Sequence, residues 1–549
     1  MAFGLDAAGY FTQDGKRIWP VGANYWPGSA GVEMWARFDA VREEIARDLD
    51  LVKSLGLNTV RFFLRWQDFE PVAGKYDERT FANLRTVLGM FRERGLYAHP
   101  SLFVGFMSGG LFWPKWKNAN LYSPGVMRER SVAFTKRAMG VISEFKDCVI
   151  AVDQGNELCC LAESSAALPE DVVGWCGDIN AAIRSVWADA IIISGNEQNQ
   201  VINDTGWRFG QQPGCDLYSM HGYPVPGWHN VMFDGMTDPF CQSLLPFYTK
   251  VARAYGPVML QEFGTIVTFG AKQQRAYLEK MLPKALESGA NGFLWWCMRD
   301  ITAPVHPYMS HGFEGTLGLV DAAGKVKPGL EVFIEFCRSL ATRPVSAVKG
   351  DAVGAVGVYL PAQYYQRNVP GAQNNPQQYS RWLIVANHLS EMLGHEVRVV
   401  RGDQALPADL ETLIVPSILL SVPEAEAIAA WVKAGGKLLW HGVDPVNYGA
   451  AYIELLGALA VDYRQPKAVT WDRFTFDAFP RNMRVEIEPR GCTVVGRDED
   501  GLPLLLTNTL GRGKVVAALP LVDEVIARAA PNFEVGRGWY EKVFALLKG

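Results

Sequence analysis

Val149-Ile150-Ala151-Val152-Asp153-Gln154-Gly155-Asn156-Glu157-Leu158 opens as an apolar, β-branched run of strand length and closes on the polar step Gly-Asn-Glu. A buried strand does not end on a carboxylate beside an amide without a reason, because an unpaired buried charge costs several kcal/mol. Taken alone, the step could simply open a loop in solvent. A second strand of the same design, Pro257-Val258-Met259-Leu260-Gln261-Glu262-Phe263-Gly264, points instead to a pair of strand-end carboxylates.

Outward from these two strands the chain alternates strand and helix. A short hairpin with an Asp14-Gly15 turn precedes the first substantial strand, 19–26. A helix over 41–55 is stopped by Gly56 and followed by a strand at 59–66; a helix over 81–94 ends at Gly95 before a strand at 96–102. A helix over about 128–145 leads into the quoted stretch. Further strands are expected at 190–196, 216–223, 257–264 and 292–297, with helices over 172–186, 247–255 and 273–288 between them. Eight strands alternating with helices predict a (β/α)₈ TIM barrel over 1–343. No Gly-rich phosphate turn follows the first strand, which disfavours an open dinucleotide-binding sheet.

The barrel gives the strand ends meaning, since active sites of this fold sit at the C-terminal ends of the strands. Arg61, His99, Asn156, Glu157, His221, Tyr223, Glu262 and Trp296 fall at or near such ends. Each alone has a plain structural explanation: a core-edge ion pair, a satisfied core histidine, a plug in the barrel. Their convergence on one rim does not.

Arg on the second strand, His on the third, Asn-Glu on the fourth, His-x-Tyr on the sixth, Glu on the seventh and Trp on the eighth resemble the retaining glycoside hydrolases of family 5, over about residues 10–340. The resemblance implies Glu157 as acid/base and Glu262 as nucleophile. It also implies substrate binding by Arg61, His99, Asn156, His221, Tyr223 and Trp296, with no metal or organic cofactor. Such chemistry needs two carboxyls about 5 Å apart, one protonated and one ionised. Arg61 beside Glu262 is expected to keep that carboxylate charged, and Tyr223 to donate a hydrogen bond to it. Asn156 suits the sugar 2-hydroxyl, and Trp296 a stacking floor. Gly195-Asn196-Glu197 repeats the motif on the fifth strand, so Glu197 competes with Glu157 on motif alone. The resemblance places the acid/base on strand four and leaves Glu197 as a substrate-binding or supporting residue.

After Leu340 the pattern changes to a second α/β unit, 350–549, with a β-rich excursion at about 463–507. It resembles the flavodoxin-like, amidotransferase-like domain that follows the barrel in some β-galactosidases and β-mannosidases of the same clan. An amidotransferase needs a cysteine at a strand-to-helix elbow. None stands between Cys337 and Cys492, so a structural role and homo-oligomer contacts are expected.

Composition narrows the partners. With 49% hydrophobic and 20% charged residues and a net charge of −5, nothing suggests nucleic acid or an anionic membrane. No apolar run is long enough to span a bilayer, and Met1–Asp6 shows no basic-then-apolar leader, so a cytoplasmic protein is expected. Nine cysteines without metal-like spacing read as free thiols in a reducing compartment. Two loops on the catalytic rim look long: Phe103–Pro124, with Phe106, Phe112, Trp113, Trp116 and Tyr122, and Met298–Leu317, with His306, Tyr308, His311, Phe313 and Glu314. Aromatic loops on opposite sides would close a cleft into a pocket that admits a chain end. The expected activity is therefore exo-cleavage of β-mannosides or short β-linked oligosaccharides. The alternatives are an endo-β-mannanase, a β-glucosidase or β-galactosidase, and a carbohydrate-binding barrel without catalysis.

Overall fold

The computed structural model describes residues 2–225, 236–265, 270–321, 323–342, 355–365, 376–416, 420–442, 449–480, 482–528 and 533–548. The chain divides into two compact units, Met1–Asp351 and Ala352–Gly549. The boundary expected between 343 and 350 lies outside the described residues.

The first unit is a closed barrel of eight parallel strands: Val21–Tyr25, Thr59–Phe63, Tyr97–Val104, Val152–Asn156, Ile192–Ser194, Leu217–Gly222, Val258–Phe263 and Ala290–Trp295. They pair in chain order, and the eighth closes on the first through Trp295 against Ala23. Between them the helices start and stop where the local chemistry says. Asp77 caps Glu78–Arg94 by accepting from the backbone N–H groups of Arg79 and Thr80, and Gly95, at φ 66°, ends it in the left-handed conformation that glycine adopts without penalty. The N-terminal end of the barrel is closed by apolar packing. Phe11, from a three-stranded antiparallel sheet (Phe3–Leu5, Phe11–Gln13, Lys16–Arg17), joins a cluster with Ile150, Ile191, Leu217, Met259 and Leu294. That leaves the opposite end, where the polar strand ends gather, as the open one.

The second unit is built on a seven-stranded sheet. Five parallel strands, Val356–Leu360, Val397–Arg401, Thr412–Pro416, Lys437–His441 and Gly513–Ala518, lie in the order 2-1-3-4-5, the flavodoxin-like arrangement. Pro503–Leu510 and Thr493–Arg497 extend it antiparallel. The excursion expected at 463–507 thus supplies more than an insertion: its last strands complete the main sheet. Ala458–Arg464 with Arg484–Pro489, and Val469–Trp471 with Phe474–Phe476, form two separate ribbons. A buried polar network joins His441 Nδ1 to Asp523 at 2.9 Å, Trp539 Nε1 to His441 at 3.2 Å and the Tyr540 hydroxyl to Asp523 at 2.7 Å.

Candidate active site

The site is assembled in two layers at the open end of the barrel. Strand register sets the lower layer: Asn24 pairs with Arg61, and Arg61 with His99. Arg61 is wholly buried. It donates to Asp153 Oδ2 at 2.7 Å, Asn24 Oδ1 at 3.1 Å, Asn156 Oδ1 at 3.0 Å and Glu262 Oε2 at 3.1 Å. The Ser101 hydroxyl donates to the same Asp153 oxygen. The guanidinium charge is therefore spent first on Asp153, and Glu262 shares what remains.

The upper layer carries the two strand-end carboxyls. Glu157 follows the fourth strand with φ 46°, a left-handed conformation costly for a residue with a Cβ, held by the 3₁₀ turn Leu158–Cys160 that it caps. Ligand atoms of Glu157, His221 and Glu262 lie within 4.8 Å of one another. Among the described residues the hydrogen-bond partners of Glu262 are donors, Arg61 and the Tyr223 hydroxyl at 2.7 Å, while His221 Nδ1 stands 3.8 Å away, beyond hydrogen-bond reach. Glu157 faces His221 Nδ1 at 2.9 Å.

The polarity of that last contact can be worked out from below. Burial lowers the His99 pKa to about 4, so its ring is neutral. Its Nδ1 faces the Ala151 carbonyl at 3.0 Å and must carry the proton, which leaves Nε2 as an acceptor. The group facing it at 2.7 Å is then the amide N–H of Gln261, and the Gln261 oxygen turns to His221 Nε2 at 2.9 Å. His221, whose pKa burial lowers as well, carries its single proton there, and its Nδ1 is a bare acceptor. A hydrogen bond between that nitrogen and Glu157 requires the carboxyl to hold the proton. One backbone carbonyl thereby fixes the direction of a four-member chain ending at Glu157.

Burial dominates the acidities. It lifts Glu157, Glu197 and Glu262 each to about 7, although His221, Arg61 and Tyr223 pull Glu262 down. Arg61, expected to keep Glu262 charged, does act in that direction, but against desolvation and while also paired to Asp153. His99 is corrected. It was expected to hydrogen-bond substrate, but it is the third residue of an eight-residue strand, lies a layer below the rim, and has both ring nitrogens engaged. Arg61 and His221 are likewise buried and fully partnered beneath the cavity.

Asn156, Glu157, Tyr223, Glu262 and Trp296 line a cavity of about 410 Å³, within the usual 300–1,000 Å³ of ligand pockets. Asn156 is held by Arg61 and by donating to the Phe106 carbonyl at 2.9 Å. Trp296 Nε1 donates to Glu314 at 3.0 Å. Glu197 also borders the cavity but is absent from the Glu157–His221–Glu262 group. Sequence reasoning assigned no role to Gln261 or Asp153. Gln261 precedes Glu262 on one strand, and simple alternation would turn the two apart; a register shift between Leu260 and Phe263 lets both reach the same cluster.

Residues 21–300 match the family model described as Cellulase (glycosyl hydrolase family 5). The chain belongs to glycoside hydrolase family 5. With that membership it is a retaining glycoside hydrolase. Among solved family 5 structures, exo-beta-1,4-mannosidase Op5Man5 from Opitutaceae bacterium strain TAV5 is 45% identical, with 98% of this chain and 99% of that one covered and a TM-score of 0.92. A GH5_18 protein from Streptomyces cattleya in complex with GlcNAc is 18% identical over 73% of this chain and 99% of its own, at a TM-score of 0.60. A β-galactosidase from Rahnella sp. R3 is 14% identical over 99% and 90%, at a TM-score of 0.69. The last two likenesses are of fold alone. No curated protein sequence is detectably similar to the chain.

Proposed function

We propose that this hydrolase removes single mannosyl units from the non-reducing ends of β-mannosides, with Glu262 as nucleophile and Glu157 as acid/base. The assignment is carried by the opposite polarity of the two carboxyls' partners. The hydrogen-bond partners of Glu262 are donors, which favours its ionised form; Glu157 meets a bare imidazole nitrogen, which favours its protonated form. Their oxygens, within 4.8 Å, suit the short separation of a retaining pair rather than the wider gap that admits a water. Glu262 attacks the anomeric carbon as the bond to the leaving oxygen breaks, and Glu157 passes its proton to that oxygen. Glu157, now a carboxylate, takes a proton from water, whose oxygen displaces Glu262 and restores the original anomeric configuration.

The exo reading rests on the rim. Phe106, Met107, Ser108 and Gly109 of the third loop face His311, Phe313 and Glu314 of the eighth across the cavity. The loops meet: the Phe112 and His306 rings are 5.8 Å apart, and a Cβ on Gly109 would stand 2.9 Å from His311 Nε2. A wall there favours a chain end over the middle of a polymer. The mannoside reading is supported by the full-length similarity to an exo-beta-1,4-mannosidase. The second unit is assigned to stability and self-association rather than to chemistry.

Time-resolved product analysis on reduced mannohexaose tests the reading. Mannose as the first product is expected. Early mid-sized fragments would make the enzyme endo-acting, and no cleavage, with turnover of aryl β-glucosides or β-galactosides, would overturn the mannoside assignment.

A further inference from the structure

Beside the carboxyl pair lies a cluster that hydrolysis does not use. Cys159 and Cys160 follow Glu157 in the same 3₁₀ turn, and both thiols face Glu197. Cys159 Sγ lies 3.1 Å from Glu197 Oε1, Cys160 Sγ 3.5 Å from the same oxygen, and the two sulfurs are 4.0 Å apart. Glu197 is 2% exposed, and among the described residues no basic side chain is paired with it.

Two of these separations, 3.5 and 4.0 Å, are close to those of a coordination shell, and the 3.1 Å contact is tighter. A tetrahedral zinc-like ion, with bonds of about 2.3 Å to sulfur and about 2.0 Å to oxygen, holds two sulfurs about 3.8 Å apart and a sulfur and an oxygen about 3.5 Å apart. Asn199 supplies the supporting donors. Its backbone N–H reaches Glu197 Oε1 at 2.8 Å and its side-chain N–H reaches Cys160 Sγ at 3.2 Å, both aimed at atoms that become anionic when they bind a cation. Cys160 and Glu197 border the cavity, so a fourth position opens to it.

We propose that Cys159, Cys160 and Glu197 form a binding site for a soft divalent cation of the zinc and cadmium class. Thiolate ligands select such ions over magnesium or calcium. As the metal–ligand bonds form, the two thiol protons and any carboxyl proton are released to solvent, with no change of oxidation state. Cys160 and Glu197 line the same cavity as Glu157 and Glu262, so a cation bound there occupies space beside the carboxyl pair and inhibits hydrolysis. That inhibition, unlike the binding, rests on the reading of this cavity as the site of hydrolysis.

Cadmium chloride titrated into the full chain, in buffer free of thiols and chelators, is the test. The cadmium–thiolate charge-transfer absorbance and the hydrolysis of an aryl β-mannoside are followed together, each variant's metal-free rate serving as its own reference. One equivalent should produce the band and at least a tenfold loss of rate. Cys159→Ser, Cys160→Ser and Glu197→Gln should each raise the cadmium concentration needed for both effects at least tenfold, while Cys492→Ser changes neither and magnesium produces neither. No band, or a band unaltered by the Cys159 and Cys160 variants, overturns the site. A band that depends on those cysteines but leaves the rate intact keeps the site and overturns the inhibition, so the two failures are told apart.

Discussion

Replacing Gln261 with methionine keeps the side chain's length and removes both of its hydrogen bonds. The chain Ala151–His99–Gln261–His221–Glu157 then loses its middle member, and two consequences follow. The buried ring nitrogens His99 Nε2 and His221 Nε2 lose partners at 2.7 and 2.9 Å. At about 1–3 kcal/mol for each unsatisfied group, stability should fall by roughly 2–6 kcal/mol. The second consequence separates a positioning role from a packing one. Without the Gln261 oxygen, the single proton of His221 is free to move to Nδ1 and donate to a Glu157 carboxylate. A hydrogen bond to a charged group contributes about 1.5–3 kcal/mol, equivalent to about one to two pKa units at 1.36 kcal/mol each. The acid works only while protonated, so activity is lost as pH rises through its pKa, and a lower pKa brings that loss to lower pH. The alkaline limb of kcat/KM for Gln261→Met should therefore move about one to two units acidward. An aryl β-mannoside with a highly activated leaving group, which needs little acid help, should lose less rate than a poorer one. An unmoved alkaline limb with equal losses on both substrates would refute the reasoning.

Two further outcomes concern stability. Burial lifts Glu197 from 4.5 to about 7, so the folded state holds a proton that the unfolded state releases, and stability falls as pH rises between those values. Glu197→Gln should remove that slope and gain up to about 3 kcal/mol at pH 8 relative to pH 4, read by chemical denaturation; a difference independent of pH would contradict it. In the second unit, His441→Ala leaves Asp523 buried without its ring partner and should cost about 3–5 kcal/mol in that unit's unfolding, while kcat stays within a few fold. Collapse of kcat in a folded His441→Ala protein would show that the second unit completes the site. Asp444, a companion polar residue after the same strand, lies outside the described residues.

Hydrophobic period and glycine stops were enough to count eight barrel strands, and the register then brought Arg61, Asn156, Glu157, His221, Tyr223 and Glu262 to one end. What the sequence hid was depth and direction. His99 looks like a rim residue because strand length is hard to read; the strand runs to Val104 and leaves it below. Gln261 was invisible as a partner because alternation turns it away from Glu262, and only a local register shift undoes that. The weight of burial against the charge on Glu262 was hidden for a similar reason. Arg61 was legible, but Asp153, which takes two of its hydrogen bonds, stands in an apolar strand and reads as part of the core. In the second unit, the strands at 493–510 carried no sign that they pair back into the main sheet, since an antiparallel edge is set by tertiary contact.

Azide rescue tests the assignment of the two carboxyls most directly. Glu157→Ala and Glu262→Ala should each lose most turnover of an activated aryl β-mannoside. Azide should restore Glu157→Ala with a β-mannosyl azide product, because the glycosyl-enzyme on Glu262 still forms. Azide should restore Glu262→Ala with the α-azide, because the anion enters the face that the nucleophile has vacated. Rescue of Glu197→Ala, with Glu157→Ala close to wild type, would contradict the account.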